Sequence, residues 1–180
     1  MTARRVLGVV GSPRRSGNTE TLIGEALSGA RDADARTEKV RLSELSIKPC
    51  LGCFECLARG ECIQKDDFAA LREKMLASPL WLLGTPVYFF APSGQMKTFI
   101  DRWISIPREK TEGKRALGVI ALEDTTADTA RTTVEVLDQT VRERRMEFVG
   151  AVVAPNLTNV GDAQRHPGPV SYTHLTLPTN

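Results

Sequence analysis

The sequence predicts an α/β fold built on a doubly wound, five-stranded parallel sheet. Short apolar runs typical of buried strands alternate with segments whose apolar residues recur at the helical period. The chain has 180 residues and is 41% hydrophobic, which is enough for one sizeable core. We expect the strand order 2-1-3-4-5, in which the ends of the first and third strands meet at the switch point and form the ligand site.

The elements justify this fold one by one. Strands are expected at residues 5–10, 36–42, 80–83, 116–122 and 148–154. Helices are expected from Asn18, from a cap at Asp66 or Asp67, over residues 95–105 and around 130–141. The second strand is the most polar of the five, so we expect it at an edge of the sheet.

We expect one domain over residues 1–160 with a cysteine-rich insertion at 43–65, and an irregular tail at 161–180. An irregular stretch as long as the insertion is usually functional. The tail is polar and turn-like, and residues 170–180 have neither helical nor convincing strand character. We therefore expect residues 170–180 to be non-native, and the domain to lack its last native helix.

Charge and hydropathy narrow the class of protein. The formal net charge is +2, which gives no argument for binding nucleic acid or a membrane surface. No apolar run reaches the ~18 residues that span a bilayer, and the apolar stretch near the N-terminus is too short for a signal peptide. We expect a cytoplasmic protein, in which clustered cysteines are more often metal-binding or catalytic than disulfide-bonded.

Residues 11–19 read as a phosphate-binding loop between the first strand and the first helix. Free backbone N–H groups at a helix N-terminus attract anions, and the loop adds hydroxyls, an amide and a guanidinium. It lacks both the nucleoside-triphosphatase and the dinucleotide motifs, so a single phosphate, as on FMN, fits best. The alternative is a simple helix cap. The candidate phosphate ligands are Ser12, Arg14, Ser16, Gly17, Asn18 and Thr19.

The aromatic loop that follows the third strand is the second candidate site. An isoalloxazine ring needs flat apolar contacts and backbone hydrogen bonds. The candidate ring contacts are Pro86, Val87, Tyr88 and Phe89. The alternative is that Tyr88, Phe89 and Phe90 belong to the core. We interpret Lys97, Asp101 and Arg102 as a solvated helix face with a helix-end ion pair.

All four cysteines of the chain lie within thirteen residues, and we take Cys50, Cys53, Cys56 and Cys62 as metal ligands. Their spacing, C-x2-C-x2-C-x5-C, suits an iron–sulfur cluster, which is commonly held by four thiolates. Zinc also accepts four thiolates, but usually from two separated C-x2-C pairs. Unmetallated thiols are the third interpretation.

Over residues 5–155 the chain resembles the flavodoxin-like NAD(P)H-dependent FMN reductases, and within that group the iron–sulfur flavoproteins. The resemblance rests on the loop at 11–19, the cysteine run ending in Asp66-Asp67, and residues 85–88 with 95–102. It implies a flavodoxin-like fold, bound FMN, a 4Fe-4S cluster, and homodimers or homotetramers that bring one subunit's cluster near a neighbour's flavin. One departure is residues 122–126, where many relatives have a glycine-rich loop beside the flavin.

These observations predict an FMN-dependent oxidoreductase that takes electrons from NAD(P)H or a ferredoxin-type donor and exchanges them with the cluster. The alternatives are an NAD(P)H-dependent FMN, quinone or nitro reductase with unmetallated cysteines, and a non-enzymatic electron carrier or redox sensor. No catalytic acid–base dyad is evident, and His166 and His174 lie in the expected tail. The cofactors therefore carry the chemistry.

Overall fold

The computed structural model describes residues 5–165 and the backbone of 171–173. Five strands are parallel: β1 (Arg5–Val10), β2 (Arg36–Arg41), β3 (Leu80–Tyr88), β5 (Arg115–Ala121) and β6 (Glu147–Ala154). Two short strands, β4 (Ala91–Pro92) and β7 (Ser171–Thr173), pair antiparallel to β3 and β6. The order β2-β1-β3-β5-β6-β7 confirms the predicted arrangement, with β2 at one edge.

Six helices connect these strands in the described part of the chain. They are α1 (Asn18–Asp32), α2 (Glu55–Arg59), α3 (Phe68–Ala77), α4 (Gly94–Asp101), α5 (Arg131–Glu143) and α6 (Asp162–Arg165). Four short 3-10 turns lie at 42–44, 102–105, 108–110 and 127–130. None of the helices in residues 5–165 is long and apolar enough to cross a membrane.

The two faces of the sheet carry separate hydrophobic clusters. The larger cluster contains the buried residues of α3, α4 and α5, with Trp81 of β3 packed edge-on to Trp103 at a centroid distance of 5.2 Å. The smaller cluster joins α1 to the opposite face through Ile23 and Leu27. A Cβ on Gly8 would approach Ile23 Cγ2 to 2.8 Å, so this glycine lets α1 lie close against the sheet.

Three element boundaries differ from the sequence expectation. β3 continues past residue 83 to Tyr88 because residues 84–86 pair with β5 and the last two residues pair with β4. The helix expected at 95–105 is α4 followed by a 3-10 turn. The tail expected to be irregular at 161–180 contains α6 and β7, since the open edge of β6 offers hydrogen bonds to residues 171–173. His166 and His174 lie outside the described residues.

Candidate flavin and metal site

The candidate site lies where β1 and β3 end side by side. The N–H of Gly11 donates to the carbonyl oxygen of Gly84 at 2.7 Å, and Ser93 Oγ donates to the carbonyl oxygen of Gly11 at 2.5 Å. A Cβ on Gly11 would lie 3.0 Å from both Gly84 O and Met96 Cβ. The two predicted loops are therefore neighbours across the switch point, as the strand order requires.

The phosphate-like loop is built as an uncapped helix N-terminus. Gly17 occupies the N-cap position of α1 and no side chain caps the helix, so its first N–H groups have no side-chain or intrahelical acceptor. Ser16 has a left-handed backbone, with φ of 52°. Ser12 and Thr19 are buried beside this turn, whereas Arg14 and Ser16 are exposed. This arrangement can hold a small anion.

Asn18 is placed differently from the other candidate phosphate ligands. Its side-chain amide donates to the carbonyl oxygens of Leu157 at 3.3 Å and Asn159 at 2.8 Å, and its Oδ1 accepts from the N–H of Ala163 at 3.1 Å. Both ends of the amide therefore bind the segment after β6. The Asn18 side chain is therefore engaged away from the candidate anion site, a role that sequence reasoning did not foresee.

A carboxylate also lies against the loop. Glu20 Oε2 accepts from the N–H of Ser16 at 2.9 Å, and the same side chain pairs with Lys39 at 2.8 Å and with Arg41. Burial alone would raise the pKa of Glu20, but its hydrogen bonds and the charges of Lys39 and Arg41 outweigh burial and hold that pKa below its usual value. Nothing in the sequence pattern pointed to Glu20.

The predicted ring contacts form an exposed edge. Val87 and Tyr88 pair with β4 across a two-residue turn of Phe89 and Phe90. Tyr88, Phe89 and Phe90 are 41%, 99% and 63% exposed, so the alternative that these three aromatic side chains are core is wrong. Phe89 and Phe90 have φ of 48° and 65°, a left-handed conformation that costs energy in residues with a Cβ. A strained, exposed aromatic turn is typical of a binding site.

A cleft of about 420 Å³ lies between the segment after β2 and the start of α4, and no residue of 11–19 is among those that line it. Ser43 and Leu45 line one wall after β2, and Gly94, Gln95 and Thr98 line the other at the start of α4. An ion pair of 3.3 Å between Arg15 and Glu44 joins the loop to the first wall. The cleft falls within the size range of cofactor sites, although Pro86–Phe89 do not line it.

The loop after β5 is held by the segment after β6. Asp124 accepts hydrogen bonds from the N–H of Thr126 at 3.2 Å and from Thr129 Oγ1 at 2.8 Å, which lower the pKa of Asp124. Its carbonyl oxygen accepts from the N–H of Asn156 at 2.9 Å. Hydrogen bonds to the Asp124 side chain therefore shape this loop, which the sequence analysis singled out as lacking glycine.

The four cysteines are free thiols that line one cavity of about 30 Å³ together with Arg102. Cys56 is buried on α2, whereas Cys50 and Cys53 are exposed. Burial raises the pKa of the Cys56 thiol, and the nearby thiols of Cys62, Cys50 and Cys53 raise it further. Within residues 5–165, no three His, Cys, Asp or Glu side chains are arranged to hold a single metal ion.

Arg102 is buried, so its interpretation as part of a solvated face was wrong. Its guanidinium is 1% exposed and pairs with Asp66, which is 2% exposed, at 2.6 Å. Lys97 and Asp101 do form the expected exposed pair, at 2.5 Å. Burial would raise the pKa of Asp66, but hydrogen bonds from Arg102 and from the N–H of Lys48 hold it below its usual value. Its partner Asp66, which the sequence pattern did not indicate, lies 36 positions earlier in the chain.

The family model described as NADPH-dependent FMN reductase matches residues 4–161. The chain belongs to this family. Among curated proteins, it is 40% identical over 100 residues to an iron–sulfur flavoprotein of Archaeoglobus fulgidus, covering 56% of this chain and 46% of the relative. It is 30% identical over 105 residues to a putative NAD(P)H-dependent FMN-containing oxidoreductase of Bacillus subtilis, covering 58% and 55%. The chain thus spans about half the length of these relatives.

Solved structures agree on the fold. The Trp repressor binding protein of Bacillus subtilis superposes with a TM-score of 0.69 at 21% identity, covering 97% of this chain and 99% of that one. At this identity the similarity shows the flavodoxin-like architecture alone. The predicted fold class and family resemblance are confirmed.

Proposed function

We propose that the protein is an NAD(P)H-dependent FMN oxidoreductase whose four cysteines hold a 4Fe-4S cluster. The observation that carries this proposal is the convergence of all four thiols on one cavity in a family of FMN reductases. FMN, when bound, accepts two electrons as hydride from NAD(P)H, while a cluster passes on one electron at a time. The names of the curated iron–sulfur flavoproteins support the same combination.

The residues at the end of β1 fit a phosphate monoester. We propose that Ser12, Arg14, Ser16, Gly17 and Thr19 surround it. Asn18 then contributes its backbone N–H while its side chain holds the segment at 157–163. The flavin ring would lie along Pro86, Val87, Tyr88 and Phe89, because exposed apolar side chains in this loop can pack against a flat ring.

The cysteines fit a cluster better than a single zinc ion. Zinc binds four sulfurs at about 2.3 Å from one point, which requires tightly converged thiolates. A cubane instead takes one thiolate at each of four iron corners, so the sulfurs stay further apart. The cavity has about the volume of one water molecule. We therefore expect the exposed turn at 50–53 to move outward when a cluster enters.

We further propose a cytoplasmic homodimer or homotetramer. The unpaired cysteines suit a reducing compartment. Exposed apolar side chains on the cysteine segment and the aromatic turn offer surface that a second subunit can cover. These side chains are Leu51, Phe54, Leu57, Ile63, Tyr88, Phe89 and Phe90.

The test is an anaerobic absorbance spectrum before and after reduction, with iron, zinc and flavin counted on one sample. We expect flavin bands above a broad absorption that bleaches on reduction, with about four irons per chain. The variant Cys53→Ser should lose the iron and keep the flavin, whereas Ser28→Ala on α1, outside the cysteine-rich insertion at 43–65, should keep both.

A reductase that uses FMN alone is the second candidate, and the small volume of the cavity favours it. Flavin bands without iron, together with steady-state NAD(P)H oxidation by a quinone, would select this candidate. Absence of flavin reduction by either NADH or NADPH would instead indicate an electron carrier fed by a ferredoxin-type donor.

A further inference from the structure

The buried guanidinium of Arg102 contacts one of the four candidate ligand sulfurs. Its Nη2 lies 3.3 Å from Cys62 Sγ and 3.2 Å from Asp66 Oδ1, and its Nη1 lies 2.6 Å from Asp66 Oδ2. We propose that Arg102 is a positioning residue that holds the Cys62 sulfur for metal binding and sets the reduction potential of the bound centre. This inference rests on the proposed iron–sulfur function.

The geometry requires an arginine. The planar fork of its guanidinium presents two nitrogens that donate side by side, a geometry that the single ammonium nitrogen of a lysine does not reproduce. Nη1 also donates to the carbonyl oxygen of Lys48 at 2.8 Å, and the Phe68 ring lies 4.9 Å from the guanidinium carbon. The side chain is thus fixed on several sides before any metal binds.

Asp66 ties the same guanidinium to both ends of the cysteine segment. Its Oδ2 accepts from the N–H of Lys48 at 2.9 Å, and its Oδ1 accepts from the N–H of Phe68 at 3.2 Å. Lys48 precedes the first cysteine and Phe68 begins α3 after the last. The pair of Arg102 and Asp66 therefore holds the two ends of the cysteine segment together and positions Cys62 relative to them.

One polar atom of this pair has no hydrogen-bond partner among the described residues. Arg102 Nε is buried without a hydrogen-bond acceptor among the described residues, although Arg102 lines the cysteine cavity. An unsatisfied buried N–H is costly, and natural structures tolerate it mainly where it serves a function. A centre held by four thiolates carries negative charge, which a buried guanidinium beside it offsets.

The two members of the pair act on a bound centre with opposite signs. A hydrogen bond from Arg102 to the Cys62 sulfur stabilises the reduced state, which carries more negative charge. The Asp66 carboxylate destabilises that same state through its own charge. Loss of the arginine donor therefore makes the potential more negative, whereas neutralisation of Asp66 makes it less negative.

The experiment compares Arg102→Lys and Asp66→Asn with the wild-type protein after identical anaerobic reconstitution with iron and sulfide. The readouts are iron per chain, the rate of iron loss to a chelator, and the potential from a titration followed by absorbance and electron paramagnetic resonance. Arg144→Gln is the matched control, since this arginine is 12% exposed and contacts the carbonyl oxygens of Trp103 and Ile106 but no sulfur. Circular dichroism confirms that each variant is folded.

We expect Arg102→Lys to lose iron about 10-fold faster, as is typical when a partner of a ligand is removed, and to shift the potential downward. Asp66→Asn should shift the potential upward, and Arg144→Gln should shift it in neither direction. If the potential shifts in the same direction in both variants, or in neither, the assignment of Arg102 is overturned while the cluster proposal stands. If only Asp66→Asn folds, its shift decides the question. Iron-free wild-type protein would overturn the cluster proposal and the assignment together.

Discussion

Ser93 Oγ donates a hydrogen bond of 2.5 Å to the carbonyl oxygen of Gly11, 82 positions earlier in the chain. The same hydroxyl accepts from the N–H of Met96 at 3.2 Å and so caps α4. One fully buried side chain thereby joins the end of β1 to the start of α4. The relative position of the two proposed flavin-binding loops depends on this contact.

We predict that Ser93→Ala lowers the free energy of unfolding by about 2 kcal/mol. The substitution removes a helix cap and leaves the buried carbonyl oxygen of Gly11 without this donor. Urea unfolding followed by circular dichroism measures the change. Thr98→Ala on the same helix should change stability by less than about 0.5 kcal/mol. Equal stabilities of Ser93→Ala and wild type would show that the contact contributes nothing.

Glu20→Gln is predicted to tighten FMN binding about 3- to 10-fold while slightly destabilising the fold. The substitution removes a negative charge beside the proposed phosphate site and frees Lys39 and Arg41 to face the phosphate. Isothermal titration of the flavin-free protein with FMN measures the affinity. Glu25→Gln, on the exposed side of the same helix, is the matched control. Weaker binding by Glu20→Gln would contradict the proposed site.

The stability that Glu20 contributes should depend on pH. Because its pKa is lowered in the folded state, this contribution is present above the unfolded pKa and is lost as pH falls through the folded value. Wild type should therefore be more stable than Glu20→Gln by about 1 kcal/mol at neutral pH, a typical value for a partly buried pair. Unfolding curves at pH 7 and pH 3 test this, and a pH-independent difference would refute it.

We expect the Phe89-Phe90 turn to lower the free energy of unfolding and to be retained because it contributes to FMN binding. Replacing Phe89 by Asn and Phe90 by Gly supplies the residues that a two-residue turn with positive φ prefers. We predict a gain of about 1–2 kcal/mol in the free energy of unfolding, with weaker FMN binding. Phe90→Gly alone should gain part of the stability and retain FMN affinity, because only Phe89 belongs to the proposed ring contacts. A destabilised double variant would argue against strain.

Asn18→Ala is predicted to release the segment that follows β6. Three hydrogen bonds of the side chain reach residues 157–163, so their loss should cost about 1–3 kcal/mol. Hydrogen exchange should accelerate at Leu157–Ala163 and stay unchanged in α5. Ser16→Ala, at an exposed position, keeps the hydrogen bonds of Asn18 and serves as the control. Unchanged exchange in Asn18→Ala would show that the side chain serves another role.

The sequence sufficed to predict the sheet and the adjacency of the two candidate loops. Alternating apolar runs predicted the five parallel strands, and the strand order then placed the ends of β1 and β3 together, as the contact between Gly11 and Gly84 confirms. Both inferences depend on local periodicity and on general rules of chain connection. The cysteine spacing likewise located the segment that lines one cavity.

Contacts between distant residues could not be predicted. Arg102 follows Lys97 and Asp101 on a polar stretch, and only the folded chain brings Asp66 and Cys62 to its guanidinium. Glu20 and Asn18 acquire their partners in the same way, from β2 and from residues 157–163. The extension of β3 was missed because Gly84 and Pro86 are residue types that usually end a strand, whereas its pairing with β5 and β4 exists only in the folded chain.

The hydrogen bonds between the Asn18 side chain and residues 157–163 can form only late during synthesis of the domain on the ribosome. The partners of Asn18 emerge 139 to 145 residues after it, which at about 5–20 residues per second is roughly seven to thirty seconds later. Until then the start of α1 lacks the three hydrogen bonds that the Asn18 side chain makes with residues 157–163. We therefore expect a nascent chain to bind the proposed flavin only after residue 163 has emerged, when all five parallel strands are available.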